Sequence, residues 1–575
     1  ETGVGKTSLV RYLAYLSHNN LRRFNLNDQT DKTDLLGAPQ PVFKEGKLSY
    51  VWRDGVLIEA LKNGYWLILD EMNLALPEVL ERLNSLLDDD NNITLRENQG
   101  EVIQKTSVFD QELLRRLKGR GINLSELTQE TIHRYFDHLP VNSVLANAIR
   151  AVVEEMNREG IYRIHHRFRL FATGNPLTYE GRKKMSPAFL NRFLVQWVES
   201  LTPAEQAEVL SVKYGVPQKM AAKVVALSEA LNQSMKEYQL GKNAGEQPPY
   251  VFTFRHMERI FERTVRKSDW NENDLANIAY RMYGLEMRSE VRKREDEAIL
   301  RGVLHKIFGR VTYAENIDFR GTQDELIFGD GEFSLKRRRS PSAHVPSDKY
   351  RLIPVNTTKR HLKHLAEAVY NNEKPLLSGP TAASKTSLIR YLALLTNNSF
   401  SRIGLDAQTD TAELLGAHVL VGSDQGGKPV IQWKDGVLID ALRLGHWLLL
   451  DEINLAAPEI LERINSLLDD DASFELVEHE GEVYLPLRDY WKRLYEFAPE
   501  LLPSHLRSVG VLSLTAEQKN ELIQELSNRI GSDFFTDERG RKLRAQMDRL
   551  AQEKNIIPIH PHFRLFDAQN HSRYA

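Results

Sequence analysis

The chain has no cysteine, which excludes disulfides, thiolate metal sites and cysteine nucleophiles, and fits an intracellular protein. It also has no apolar run near the roughly 18 residues that a membrane-crossing helix needs, so a membrane role has no support. Charge of one sign is missing too: 76 Lys and Arg face 79 Asp and Glu, for a formal net charge of −3. A chain built to coat nucleic acid is strongly basic, and no aromatic-and-basic stripe supports strand translocation. Nucleic acid is therefore expected only as an indirect partner. No leader segment is visible, but the first residues, ETGVGKTS, open in the middle of a motif, so the chain reads as an internal fragment.

What is present is a long internal repeat. Residues 54–90, DGVLIEALKNGYWLILDEMNLALPEVLERLNSLLDDD, return at 435–471 with 28 of 37 positions identical. In each copy a short apolar run, WLILDE or WLLLDE, ends in two acids, as a buried parallel strand does when it delivers carboxylates to a sheet edge. With 575 residues the chain is too long for one core, and roughly 100–200 residues per domain suggests three to five domains built on two copies of a larger unit.

The opening ETGVGKTSLVRYLA matches the phosphate loop G-x-x-x-x-G-K-[ST] without its first Gly, and Leu9, Leu13 and Leu16 then set a helical period. Taken alone, GKTS is also compatible with a surface turn. Paired with the acid strand about 64 residues later, it reads as a nucleotide site. The backbone of Thr2, Gly3, Val4, Gly5, Lys6, Thr7 and Ser8 would then surround phosphates, with Lys6 on the β/γ-phosphates and Thr7 on Mg²⁺. Phosphoryl transfer to water asks the protein to hold the metal, place the water and neutralise charge. On that logic Asp70 would hold Mg²⁺, Glu71 would polarise the water, and Asn175, at the end of a strand next to the acid strand, would orient it.

The second copy offers Gly379, Pro380, Thr381, Ala382, Ala383, Ser384, Lys385, Thr386 and Ser387 as its loop, with Thr386 and Asp451 for the metal and Glu452 and Asn570 for the water. Ser384 stands where the first copy has Gly5, and a Cβ there is expected to strain the loop or block close approach to a phosphate. Asp567 stands where the first copy has Ala172, unfavourable if it faces phosphates and harmless if it points away.

An α/β fold of tandem phosphate-loop modules, each a parallel sheet with flanking helices and a helical small domain, is the expectation. Residues 1–200 form the first large domain, with an insertion over about 104–162, and 201–310 form a helical small domain. Residues 311–350 read as a linker or a β-rich insertion, and 351–575 as a second large domain with an insertion over about 485–556 and an incomplete end. The offset between copies is 379 at the lysines, 381 at the acids and 395 at FRLF, so the excursions differ in length while the framework does not. Gly/Lys turns among β-formers suggest hairpins at KEGKLSYVWRDG and GGKPVIQWKDG, and Pro77 and Pro458 each open an amphipathic helix. Lys336–Arg339 reads as a solvated charge run.

TDLLG, the W-x-DG-x-L-x-x-AL helix, LDE-x-N-x-A-x-P, the H-x-x-FRLFAT-x-N strand and the GRKKMSPAFLNRF segment together resemble the AAA+ ATPases. They resemble in particular the branch with a hairpin inserted in helix 2, which includes the MoxR-like, dynein and midasin families, with the midasin family nearest in appearance. The resemblance implies an ATP- and Mg²⁺-dependent ATPase working beside further AAA+ modules of a longer chain in a ring. It would remodel protein cargo on a large assembly, pre-ribosomal particles being one case. The location would be nuclear or nucleolar for a eukaryotic midasin and cytoplasmic for a bacterial protein. Alternatives are a nucleotide-gated scaffold, a MoxR-like chaperone or a bacterial defence ATPase.

The same resemblance implies that Arg192 is an arginine finger acting on a neighbouring unit and that Arg255 is a second-sensor arginine. The counterpart of Arg192 in the second copy falls near position 587, past the last residue. Alone, the chain is therefore expected to bind ATP at site one and turn it over slowly, with weaker binding or slower turnover at site two.

Overall fold

The structure is a computed structural model that describes residues 5–26, 30–44, 47–88, 91–122, 127–137, 139, 141–175, 184–240, 251–267, 269–287, 293–313, 315–339, 344–380, 383–423, 429–468, 472–476, 478–479, 481–497 and 538–570. Two compact units emerge, one of Glu1–Ala38 with Asp54–Ala314 and one of Pro39–Arg53 with Glu315–Ala575. Each has a parallel sheet centred on its acid strand.

In the first unit the acid strand Trp66–Asp70 lies between the outer strand Leu21–Asn25 and the strand Arg169–Ala172, all parallel. Every residue of Trp66–Asp70 is buried, which explains why WLILD is continuously apolar until its last position. In the second unit the order is Leu376–Gly379, Arg564–Asn570, Trp447–Asp451, Phe400–Gly404, again all parallel. The phosphate-loop strand therefore sits beside the strand carrying Asn570, and that strand sits beside the acid strand. All three ends converge at one sheet edge.

The repeated DG opens a short helix in each unit, Val56–Asn63 and Val437–Leu444, and its glycine has a steric cause. A Cβ on Gly55 would lie 2.5 Å from the Leu35 carbonyl, and one on Gly436 would lie 2.5 Å from that of Leu414. Leu-Leu-Gly and Asp-Gly are thus two halves of one close backbone contact. The expected second-unit hairpin is Gly416–Ser423 paired antiparallel with Pro429–Asp435. Its counterpart in the first repeat runs Gly37–Lys44 and Lys47–Asp54.

The helix after Pro77 is broken into Pro77–Glu81 and Asn84–Leu87, whereas its counterpart Pro458–Leu468 is continuous. Among the described residues, 203–308 contain five helices around their own core, with Leu210, Leu227, Ile260, Phe261 and Tyr283 fully buried.

The first excursion is a closed helical layer rather than a loose loop. It leaves from Glu101–Gln104 and returns on Ile161–Arg163, and these two strands pair in parallel. Helices Thr106–Gly119, Gln129–Phe136 and Ser143–Arg158 bury Phe109, Leu113, Ile132, Ile149 and Val152 between them. Arg163 anchors the return through a buried two-pronged contact with Asp110 at 2.7 and 2.9 Å.

Residues 319–336 form a three-stranded antiparallel sheet. Its Leu326, Phe328, Phe333 and Leu335 pack with Leu362, Leu388 and Leu392 of the second unit, so this stretch contributes to a core. The adjoining basic run is partly structural as well. Arg337 and Arg338 are half-buried, and Arg337 donates to the Thr322 carbonyl at 2.7 Å.

Candidate nucleotide site

Residues Thr2, Gly3 and Val4 of the first loop, and Thr381 and Ala382 of the second, lie outside the described residues. Gly5 caps the helix Lys6–Leu16 in the left-handed region at φ 82°, ψ 16°. Ser384 caps the helix Lys385–Leu395 in the same region at φ 61°, ψ 22°. The second loop keeps the shape that glycine suits while carrying a side chain. Left-handed backbone costs a non-glycine residue about 1–2 kcal/mol. Among the described residues a Cβ on Gly5 would meet nothing within 4 Å, so the penalty without ligand is conformational rather than a clash.

At the first sheet edge the expected groups meet. Lys6 Nζ donates to Asn175 Oδ1 at 2.6 Å, and Asn175 Nδ2 donates to Glu71 Oε1. Asn175 therefore bridges the lysine and the acid, the positions assigned to phosphate and water. Its main chain is fixed in turn, because Asn73 Nδ2 donates to the Asn175 carbonyl at 2.6 Å. Thr7 Oγ1 lies 3.3 and 3.2 Å from the two Asp70 oxygens, a hard-oxygen donor set that fits Mg²⁺. Glu71 is itself left-handed at φ 54°, as is Glu452 at φ 59°, and this shared strain turns the second acid away from the strand direction in both units.

Two side chains that the sequence did not single out complete the site. Arg23 pairs with Asp70 Oδ2 at 2.7 Å from the outer strand, and the Thr173 hydroxyl donates to Asp70 Oδ1 while accepting from the Glu71 amide at 3.3 Å. Burial alone pushes the Asp70 carboxyl up. Bonds from Thr173, Arg23 and Thr7 outweigh it and hold the group below its ordinary value, so Asp70 stays ionised.

The second site repeats this frame with changes. Thr386 Oγ1 donates to Asp451 at 3.0 Å, Arg402 pairs with Asp451 at 2.8 Å, and Asn570 Nδ2 donates to Glu452 Oε1 at 2.5 Å. Thr173 has become Ala568, so Asp451 loses one hydroxyl. Lys385 Nζ donates to Asn570 Oδ1 at 2.9 Å and to the Gly379 and Pro380 carbonyls at 2.9 and 3.0 Å. An ammonium has three protons, and all three are engaged by the chain itself.

Asp567 is buried opposite Leu450, in register, while Asp451 lies opposite Ala568. Alternation puts Asp567 on the other face from Asp451, away from the phosphate side. There its Oδ1 has no hydrogen-bond partner, and burial pushes the carboxyl up to about 6.

The two resemblance-derived arginines stand apart from these groups. Arg192 Nε pairs with Asp88 at 2.6 Å and Arg192 Nη1 donates to the Ala188 carbonyl at 3.0 Å. Arg255 is exposed on the helix Phe254–Val265. Among the described residues, neither shares a hydrogen bond or ion pair with Lys6, Thr7, Asp70 or Glu71.

A family profile described as an AAA domain of the dynein-related subfamily matches residues 1–193 and 375–534, more than half of the chain and both repeats. The chain is similar to midasin of Giardia intestinalis, at 23% identity over 96% of this chain and 11% of that protein. It is also similar to midasin of Dictyostelium discoideum, at 26% over 84% and 8%. It thus spans about a tenth of the length of these curated relatives. An uncharacterised protein of Staphylococcus haemolyticus is 37% identical over 18% of this chain and 40% of its own length. Among the described residues no helix is long and apolar enough to cross a membrane. The chain belongs to the dynein-related AAA family.

Proposed function

We propose that the first unit binds ATP with Mg²⁺ and hydrolyses it, and that the second holds nucleotide more weakly or without rapid turnover. The observation that carries this reading is the bridge Lys6–Asn175–Glu71 standing beside the Thr7–Asp70 pair. In it Lys6 meets the β/γ-phosphates, and the backbone and helix N-terminus at Gly5–Ser8 meet phosphate oxygens. Mg²⁺, when bound, neutralises charge shared between the β- and γ-phosphates. Thr7 and Asp70 would hold it, with Arg23 and Thr173 keeping Asp70 ionised and oriented. Glu71 takes the proton of the attacking water, and Asn175 fixes Glu71 through its amide.

The similarity to midasins supports a mechanoenzyme role within a ring of AAA units, moving protein cargo on a large assembly, with a pre-ribosomal particle as the candidate and the nucleus or nucleolus as the place. In that ring Arg192 would leave Asp88 to reach the nucleotide of an adjoining unit, and Arg255 would close on the γ-phosphate from the small domain. Ser384 in the left-handed cap position and Ala568 in place of Thr173 favour a nucleotide-gated structural role for the second unit.

Glu71→Gln tests the reading. ATP should still bind while turnover falls by about 10²–10⁴-fold, the usual contribution of a positioned general base. Unchanged turnover would refute it. In the assembled protein, a mechanoenzyme should also fail to release its cargo, whereas a scaffold would keep its assembled activity.

A further inference from the structure

At the foot of the strand Arg169–Ala172, away from the edge where Asn175 sits, the helical excursion meets the sheet through a cluster that the nucleotide site does not use. Asp137 caps the helix Gln129–Phe136, and His165 and His166 lead into the strand. Asp137 Oδ1 lies 3.3 Å from His166 Nε2 and 3.6 Å from His165 Nε2. It is nevertheless buried without a hydrogen-bond partner, because neither ring directs a proton at it. One donor atom from each of the three residues falls within 4.8 Å of the others. In a tetrahedral site with bonds of about 2.0–2.1 Å, neighbouring donor atoms stand about 3.3–3.4 Å apart. Two sides of the triangle are already close to that spacing.

The surroundings suit a ligand set. Asp137 Oδ2 accepts from Arg167 at 2.8 Å, which orients the carboxylate as a supporting bond does around a metal. A Cβ on Gly64, at φ +75°, would come within 2.2 Å of His165 Nδ1, so that ring is seated on bare backbone. His133 stacks on His166 with ring centroids 4.0 Å apart, and its Nε2 is buried without a partner.

We propose that Asp137, His165 and His166 form a site for a transition-metal ion of the zinc class, which staples the helical excursion to the foot of the sheet. The fourth position falls to water. Metal entry takes the Nε2 lone pair of His165 and moves its ring proton to Nδ1, with no net proton released. That tautomer change gives up the 3.2 Å contacts of this ring with the Phe136 carbonyl and the Arg167 amide, so binding is moderate rather than tight. The second unit keeps the histidine as His560 but has Pro561 in place of His166, so the staple belongs to the first unit alone. This inference does not depend on the nucleotide reading.

The test is titration of the metal-stripped 575-residue chain, without nucleotide, by Co²⁺ and then Zn²⁺. One Co²⁺ per chain is expected, with the visible absorption of a tetrahedral ion and displacement by Zn²⁺. Amide exchange in Gln129–Phe136 should slow when Zn²⁺ is bound. His166→Ala and the near-isosteric Asp137→Asn should each weaken binding by at least about tenfold with unchanged circular dichroism. His305→Ala, on a remote helix, should leave it intact. No stoichiometric binding at millimolar metal, or binding indifferent to both substitutions, would overturn the proposal.

Discussion

Asp567→Ala should stabilise the second unit, and by an amount that depends on pH. The carboxyl is buried with one oxygen unpartnered, and burial raises it from 3.8 to about 6. A shift of about two units at about 1.4 kcal/mol each makes the ionised group cost about 3 kcal/mol. The sign follows from a folded value above the unfolded one. Below 3.8 both states hold the proton and nothing is lost; between 3.8 and 6 the unfolded chain ionises first; above 6 the whole penalty is present. The gain from Asp567→Ala should therefore be about 1 kcal/mol at pH 4.5 and about 3 kcal/mol at pH 7.5. The first unit carries Ala172 at the matching strand position, so the repeat already accommodates the smaller residue. Scanning calorimetry resolves the transition of the second unit, and each kcal/mol moves a domain of this size by about 2–4 °C. An equal gain at both pH values, or a loss at pH 7.5, would refute the assignment of a buried, unpaired carboxyl.

Ser384→Gly should relieve the left-handed strain at the second loop, offset in part by the greater freedom of glycine in the unfolded chain, for a net gain of about 0.5–1 kcal/mol. ATP affinity at site two, read by calorimetric titration in a Lys6→Ala background, should rise in parallel. Arg23→Ala should remove one of the contacts that offset burial and so raise the Asp70 carboxyl, weakening Mg²⁺-dependent ATP binding more at pH 5 than at pH 8. Thr173→Ala copies the second unit, where Ala568 stands, and should slow turnover and, by raising the Asp70 carboxyl, also weaken Mg²⁺-dependent ATP binding at low pH.

The sequence showed the frame clearly because the frame is local. WLILDE and WLLLDE announce a buried strand ending in acids, and FRLFATGN announces the strand that leads to Asn175. Their adjacency follows once both must reach one site. Arg23 and Arg402 were visible in principle, as arginines in register 379 positions apart, but RRFNL reads equally as an edge strand with surface charge. Thr173 becomes meaningful only when the register puts it beside Asp70.

The closure of the excursion was not legible, because it depends on Glu101–Gln104 pairing with Ile161–Arg163 across a long stretch of chain. Nor was the state of Lys385, whose partners include two main-chain carbonyls that carry no sequence signal. The meaning of Asp567 turned on strand parity. Counting from Asp451 through the observed register assigns it to the far face, while the motif alone left both faces open.

The central claim is that two matching frames support unequal sites. Equilibrium dialysis of Mg-ATP against the wild-type chain, Lys6→Ala and Lys385→Ala tests it directly. The account predicts one tight site per chain, abolished by Lys6→Ala and retained in Lys385→Ala. A tight site that survives Lys6→Ala, or one that disappears with Lys385→Ala, would contradict it.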